Sequence, residues 1–236
     1  FFIGGAKIIR ACILYARFDP ACMVHVRGIE PPICVPLSHQ MPFYRERHQK
    51  YEAMPAALAG YIRQSRGALH MIDVGANVGD TILSTTPQAD DRYLAIEPHP
   101  KFFKYLIENT CWVEGATCLQ IACGDSVGGL ALERAHRGTA GVRLDHSGGY
   151  RVVSQTLDEI WAKEWGGADV NFLKVDTDGF DVAVLRGAEA LIRSKHPWIF
   201  YECDIRLTEN GLDRHMEMIE HLANEGYRYI VVFNNF

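Results

Sequence analysis

From residue 69 onward, short, mostly apolar runs give way repeatedly to stretches whose apolar residues recur three and four apart. The runs predict strands over 69–74, 93–96, 117–122, 171–175, 198–201 and 229–233. Between them the spacing predicts helices over 81–85, 101–111, 157–164, 180–193 and 213–224. In the last helix Met216, Ile219, Leu222 and Ala223 form an apolar stripe, and Gly226 supplies a left-handed stop. Because the strands do not alternate apolar with polar, both sheet faces are expected to be covered by helices. The fold class is therefore α/β, a doubly wound, mostly parallel sheet with ligands at the carboxyl ends of its strands.

Two departures from this rhythm stand out. The N-terminal part reads as an amphipathic helix over 1–15, strands at 23–27 and 33–37 around Gly28 and the Pro31-Pro32 turn, a polar helix over 44–51, and a helix from Pro55 to about 63. Residues 1–66 are thus expected to form a small extension or cap, and 67–236 the main domain. Between 124 and 153 the runs at 130–133, 141–144 and 151–154 predict an antiparallel flap.

The first main strand runs into Asp73-Val-Gly75-Ala76-Asn77-Val-Gly79, with Thr81 just inside the following helix. Glycine and asparagine tolerate the left-handed backbone of such a turn. A dinucleotide fingerprint spaces its glycines G-x-G-x-x-G and places a pyrophosphate on the helix N-terminus. Here the special positions fall two and two apart, and Asp73 at the strand end would repel a pyrophosphate. It suits instead a cofactor with a sulfonium and an ammonium group, S-adenosyl-L-methionine. The second strand ends in Glu97-Pro98, where a carboxylate can accept hydrogen bonds from ribose hydroxyls.

The strand over 171–175 ends in Asp176-Thr-Asp178-Gly-Phe-Asp181, and the next in Glu202-Cys-Asp204. Methyl transfer to a hydroxyl needs in-line positioning and a base to take the hydroxyl proton. Asp176 is the first choice for base or substrate clamp. Asp178 and Glu202 join it as catalytic candidates, although Asp178 also reads as a helix N-cap, with Asp181 completing a capping box. Asp176, Glu202 and Asp204 offer oxygen ligands to Mg²⁺, while Glu202 equally offers a clamp for a substrate hydroxyl. No metal site is assigned.

These residues, with Ala122-Cys-Gly124-Asp125, Thr156-Leu-Asp158 and Leu173 to Asp181 followed by Val184-Leu-Arg-Gly187-Ala188, resemble the FkbM-type methyltransferase family over residues 70–233. The resemblance implies a Rossmann-like fold and an S-adenosylmethionine-dependent O-methyltransferase acting on sugar or natural-product hydroxyls. It also implies that Asp73, Gly75, Asn77 and Gly79 line the methionine end, Glu97 the ribose, and Asp125 with Ser126 the adenine. Ala76, Thr81 and Pro98 complete that cofactor set. The chain departs from the family in having Asp178 and Asp181 where glutamates are usual. It also ends just past the sixth expected strand, before the seventh that normally pairs with it. An edge left open in this way favours pairing with another chain, hence a homo-oligomer.

Composition narrows the class further. The net charge is −5, with an excess of basic residues in the first fifty and an acidic remainder. An acidic body argues against sequence-independent nucleic-acid binding. Lys7 and Arg10 interrupt the opening apolar segment long before a membrane span is reached, and no signal-peptide cleavage pattern follows. Seven scattered cysteines without a C-x-x-C pair suggest neither a disulfide framework nor a zinc site, and a reducing cytoplasm is expected. The chain lacks an initiating methionine, which reads as a start inside a longer product. His39, Tyr44, Arg45, Arg47 and His48 of the cap lie within reach of the expected cleft, but the plainer reading is a surface helix with ordinary charges.

Two other classes remain at this point. A nicotinamide-dependent sugar oxidoreductase shares the strand, turn and ribose acid, but the glycine spacing and the lack of a Tyr-x-x-x-Lys pair count against it. A noncatalytic cofactor-binding module is the other.

Overall fold

The computed structural model describes residues 19–132, 142–143, 150–207 and 210–232. The expected helix over 1–15 lies outside them. The chain opens with a hairpin, β1 (Ala21–Val26) and β2 (Ile29–Pro36), turning at Gly28 with φ +77°. Two helices follow, α1 (Met41–Arg47) and α2 (Ala53–Arg66). The first starts three residues earlier than expected, with proline in its opening turn where no backbone N–H is needed.

The central sheet is parallel and five-stranded, built from β3 (His70–Val74), β4 (Arg92–Ile96), β5 (Ala116–Leu119), β10 (Phe172–Val175) and β11 (Trp198–Tyr201). Its spatial order is β11-β10-β3-β4-β5. Its covering helices include α3 (Asp80–Ser84), α4 (Pro100–Thr110), α5 (Leu157–Trp165), α6 (Asp181–Arg186), α7 (Glu189–Lys195) and α8 (Gly211–Asn224). Two apolar layers result. On one face Met71, Tyr93, Ala95 and Phe172 pack with the hairpin, α2, α3 and α4. On the other, Ile72, Leu94, Leu173 and Val175 pack with α5, α6, α7 and α8. The fold is the doubly wound, parallel sheet expected from the apolar runs and, as the resemblance implied, Rossmann-like.

Four expectations are corrected. The run over 117–122 splits into β5 and a separate β6 (Ala122–Gly124), which leaves the central sheet. β6 pairs parallel with β9 (Tyr150–Thr156), next to β7 (Gly128–Leu132) and β8 (Val142–Arg143), in a second sheet at the position of the expected flap. The single helix over 180–193 breaks at Gly187-Ala188. A Cβ on Gly187 would lie 2.0 Å from the Gly124 carbonyl oxygen, and the Asp158 carboxylate caps the second piece through Ala190 and Leu191 N–H at 2.9 Å each. In α8 the buried face is Gly211, His215, Met218 and Leu222; Met216 and Ala223 are exposed. On that face His215 stacks on Tyr201 with ring centroids 5.8 Å apart. Finally, residues 229–232 form no strand, and Tyr229 and Val232 are about 90% exposed. Among the described residues β11 is bonded on one side only, to β10, so nothing pairs with this apolar run.

Candidate active site

A cleft with about 620 Å³ of space, part of it open to solvent, lies at the carboxyl ends of β3, β4 and β10. β3 and β10 are neighbours in the sheet, and connections leave them in opposite directions, which is where ligands collect in open α/β sheets.

One wall is the turn after β3. Gly75 has φ +81° and Asn77 φ +50°, and the Gly75 and Ala76 N–H groups donate to the Ile96 carbonyl at 2.9 and 3.0 Å. A Cβ on Gly75 would lie 1.8 Å from the Asp176 carbonyl oxygen, so the tips of β3 and β10 touch only because this residue is glycine. Glu97, at the tip of β4, accepts N–H bonds from Asn77 at 2.9 Å and from His99 at 2.8 Å. Burial pushes its carboxyl up to about 7 against the opposing pull of those two N–H groups.

The facing wall is the tip of β10, where Asp176, Thr177, Asp178 and Phe180 line the cleft. Beneath them Lys174 is almost wholly buried. Its Nζ lies 3.1 Å from Asp73 Oδ1, 3.4 Å from Asp176 Oδ2 and 3.1 Å from the Gly75 carbonyl. Burial opposes the ammonium, but Asp73 and Asp176 hold its pKa well above the ordinary value. Beside it the carboxylates crowd. Burial, then the neighbouring Asp176, raises Asp178 to about 6, Asp181 to about 7 and Glu202 to about 8. Asp204 is different, because hydrogen bonds from Arg206 lower it to about 2.

Of the residues singled out from the sequence, Gly75, Asn77, Glu97, Pro98, Asp176 and Asp178 line the cleft. Asp73 lies one layer below the turn, paired with Lys174. Ala76 and Thr81 are packed in the turn and in α3, and Gly79, at φ +86°, abuts Thr110 and Leu106. Glu202 sits at the tip of β11 beside the wall, its N–H bonded to Val175. Asp125 and Ser126 are exposed beyond β6 and bonded to each other at 3.1 Å.

The cap reading of Asp178 is overturned. Phe180 occupies the N-cap position, and Asp178 takes φ +51°. Asp181 reaches back to accept from Thr177 and Gly179 N–H, both at 3.3 Å. The surface reading of His39 and Arg45 is overturned as well. Both are buried, and His39 Nε2 lies 3.0 Å from Asn77 Oδ1. Arg45 pairs with Asp80 of α3 at 3.4 Å.

Sequence reasoning also passed over Phe102, Thr177 and Phe180 on the wall, and Lys174 below it. Lys174 carried a signal, a lone lysine inside an apolar strand that ends in acids; Phe102 carried none beyond helical spacing. Among the described residues no group of three or more His, Cys, Asp or Glu side chains is placed to hold a metal ion, so Asp176, Glu202 and Asp204 do not assemble as a Mg²⁺ site. No helix among them is long and apolar enough to cross a membrane, and every described cysteine is unpaired.

A solved structure, the methyltransferase FkbM from Methylobacillus flagellatus KT, superposes with a TM-score of 0.48 at 16% identity, covering 66% of this chain and 37% of that one. The chain thus spans little more than a third of that protein's length. No curated protein matches it. The family model described as the methyltransferase FkbM domain matches residues 73–229, from the acid before the glycine turn to the start of the exposed apolar run after α8. On that match, the chain belongs to the FkbM methyltransferase family.

Proposed function

We propose that this protein is an S-adenosyl-L-methionine-dependent O-methyltransferase acting on a hydroxyl of a sugar, glycan or other natural product. One observation carries the reading: a single cleft joins the glycine turn and the buried Glu97 to the acids at the tip of β10. The residues present fit the cofactor. Each Glu97 oxygen accepts one backbone N–H and keeps a second lone pair for a ribose hydroxyl. Ile96, Phe102 and Leu132 offer apolar surface to a nucleobase, and Asp176 and Asp178 offer negative charge to a cationic donor. Thr177 Oγ1, also on the wall, is buried with no hydrogen-bond partner among the described residues, an unmet valence that a polar occupant would satisfy.

When bound, S-adenosylmethionine supplies an electrophilic methyl group on a sulfonium. The remaining work falls to the chain. Asp176 has Lys174 on Oδ2 and a side chain about one-third exposed, so its carboxylate can accept the proton of an acceptor hydroxyl held at the mouth of the cleft. Asp178 and Glu202 stand beside it to bind further hydroxyls of a polyhydroxylated acceptor.

The test is calorimetric titration with S-adenosylmethionine, S-adenosylhomocysteine and NAD, followed by a screen of hydroxylated acceptors for methyl transfer, carbohydrates first. Micromolar binding of the first two together with transfer to an oxygen supports the reading. Binding of NAD alone would replace it with the oxidoreductase, and binding of S-adenosylhomocysteine without transfer to any acceptor would leave a cofactor-binding module.

A further inference from the structure

We propose that Asp73, Lys174 and Asp176 form a charge triad, two carboxylates to one ammonium, whose single net negative charge makes the cleft prefer a sulfonium ligand to the neutral thioether left after methyl transfer. The inference rests on the cofactor reading above and gives a role to Asp73 and Lys174, the two members that lie beneath the cleft wall.

The triad follows from the sheet. β3 and β10 pair in register with Asp73 opposite Lys174, and Asp176 comes two residues after Lys174 in an extended chain, which puts their side chains on one face. Lys174 Nζ stands 3.1 Å from Asp73 Oδ1 and 3.4 Å from Asp176 Oδ2, and donates to the Gly75 carbonyl at 3.1 Å. Three acceptors match the three N–H groups of an ammonium. The side chains of Asp73 and Lys174 are 1% and 2% exposed, that of Asp176 36%. One end of the triad is thus sealed inside the sheet, and the other opens on the cleft wall.

Each charge is maintained by the others. Burial opposes ionisation of Asp73, and the ammonium in contact with it holds the negative charge in place. Burial opposes the ammonium too, and Asp73 and Asp176 together hold it. A surplus charge withdrawn from water is weakly screened, so it acts on an occupant of the adjoining cleft.

The chemistry supplies the reason for such a device. The acceptor hydroxyl gives its proton to Asp176 and its oxygen electron pair to the methyl carbon, while the carbon–sulfur pair goes to sulfur. A sulfonium beside a triad of one negative charge thereby becomes a neutral thioether beside a neutral triad, in which Lys174 is left with Asp73. The positive charge of the ligand and the surplus charge of the triad vanish in the same step. Without Lys174 two acids would be uncompensated before transfer and one after it. Once Asp176 returns its proton to solvent, the triad again carries a negative charge, which favours exchange of the thioether for a new sulfonium. Glu97 and Asp178 add to the negative wall but are common to every variant compared below.

The experiment is calorimetric titration with S-adenosylmethionine and S-adenosylhomocysteine, which share nucleoside, ammonium and carboxylate and differ by the methyl group and its positive charge. The ratio of their dissociation constants reads the preference. Asp73→Asn leaves Lys174 and Asp176 without net charge, and the preference for S-adenosylmethionine is expected to fall about tenfold, as for one unit charge acting through the protein interior. Adding Lys174→Met to Asp73→Asn restores one net negative charge, on Asp176, and should return the preference to within about twofold of wild type. A merely structural contact would not be repaired by deleting its second member. A ratio unchanged in Asp73→Asn, or a double variant as unselective as Asp73→Asn, overturns the proposal. If Asp73→Asn does not fold, Lys174→Gln carries the test in the opposite sense. With both acids uncompensated the preference should rise about tenfold, and an unchanged ratio overturns the proposal. Wild-type protein that binds neither ligand would sink the cofactor reading, and this inference with it.

Discussion

Lys174 and Asp73 sit side by side on adjacent parallel strands, in register, with Nζ 3.1 Å from Oδ1 and both side chains almost fully buried. The pair lies directly beneath the glycine turn and extends through Asp176 Oδ2 to the cleft. Removing one member of a buried pair leaves the other charge uncompensated, which costs about 3–5 kcal/mol. Lys174→Met is expected to lower stability by that amount, measured by urea unfolding. Retention of wild-type stability would show that Asp73 becomes neutral at little cost.

Asp176 is the acid that meets both Lys174 and the cleft. Asp176→Asn keeps the shape and leaves Lys174 with Asp73, so S-adenosylhomocysteine affinity should stay within about threefold. Methyl transfer should fall by about 10²–10⁴, the usual contribution of a positioned base. A variant with undiminished turnover would remove the proton-acceptor role.

Glu97 predicts a pH dependence of cofactor binding. Its carboxyl is raised to about 7, and accepting two ribose hydroxyls favours the ionised form. Affinity for S-adenosylhomocysteine should therefore rise as pH increases from 6 to 8. Glu97→Gln should bind more weakly and lose that slope. A wild-type affinity flat across this range would contradict the assigned contact.

Glu202 gives a stability test with a definite sign. Its pKa in the fold is raised to about 8 from an ordinary value of 4.5, chiefly by burial and then by Asp176, Asp181, Asp178 and Asp204. The folded state thus binds its proton more tightly than the unfolded chain does. Its stabilising contribution is complete below about pH 4.5 and is lost as pH rises through 8. Glu202→Gln keeps a neutral side chain at every pH, so its melting temperature should exceed that of wild type increasingly between pH 6 and 9. A constant difference across that interval would mean that Glu202 ionises without penalty.

The order of strands and helices was legible in the sequence because burial on both sheet faces demands mostly apolar runs, and that demand is local. Gly75, Asn77 and Glu97 were legible for a related reason. A turn with left-handed positions, followed 20 residues later by an acid at the next strand tip, leaves its mark in residue type and spacing. The break at Gly187 was not legible, because it depends on the Gly124 backbone 63 residues away. The exposure of residues 229–232 was not legible either, since apolar β-prone character states what a segment can pair with and not whether a partner is present.

The sequence by itself determined the parallel α/β layering, the glycine turn and the concentration of acids at two strand ends, all consequences of neighbours along the chain. Only the tertiary structure decided what those groups do to one another. It placed Lys174 under Asp73 and Asp176, bent Asp181 back onto its own loop, and brought His39 against Asn77 across 38 positions of sequence. Charge neutralisation and raised carboxyl pKa values are properties of distance and burial, and those exist only once the chain has closed on itself.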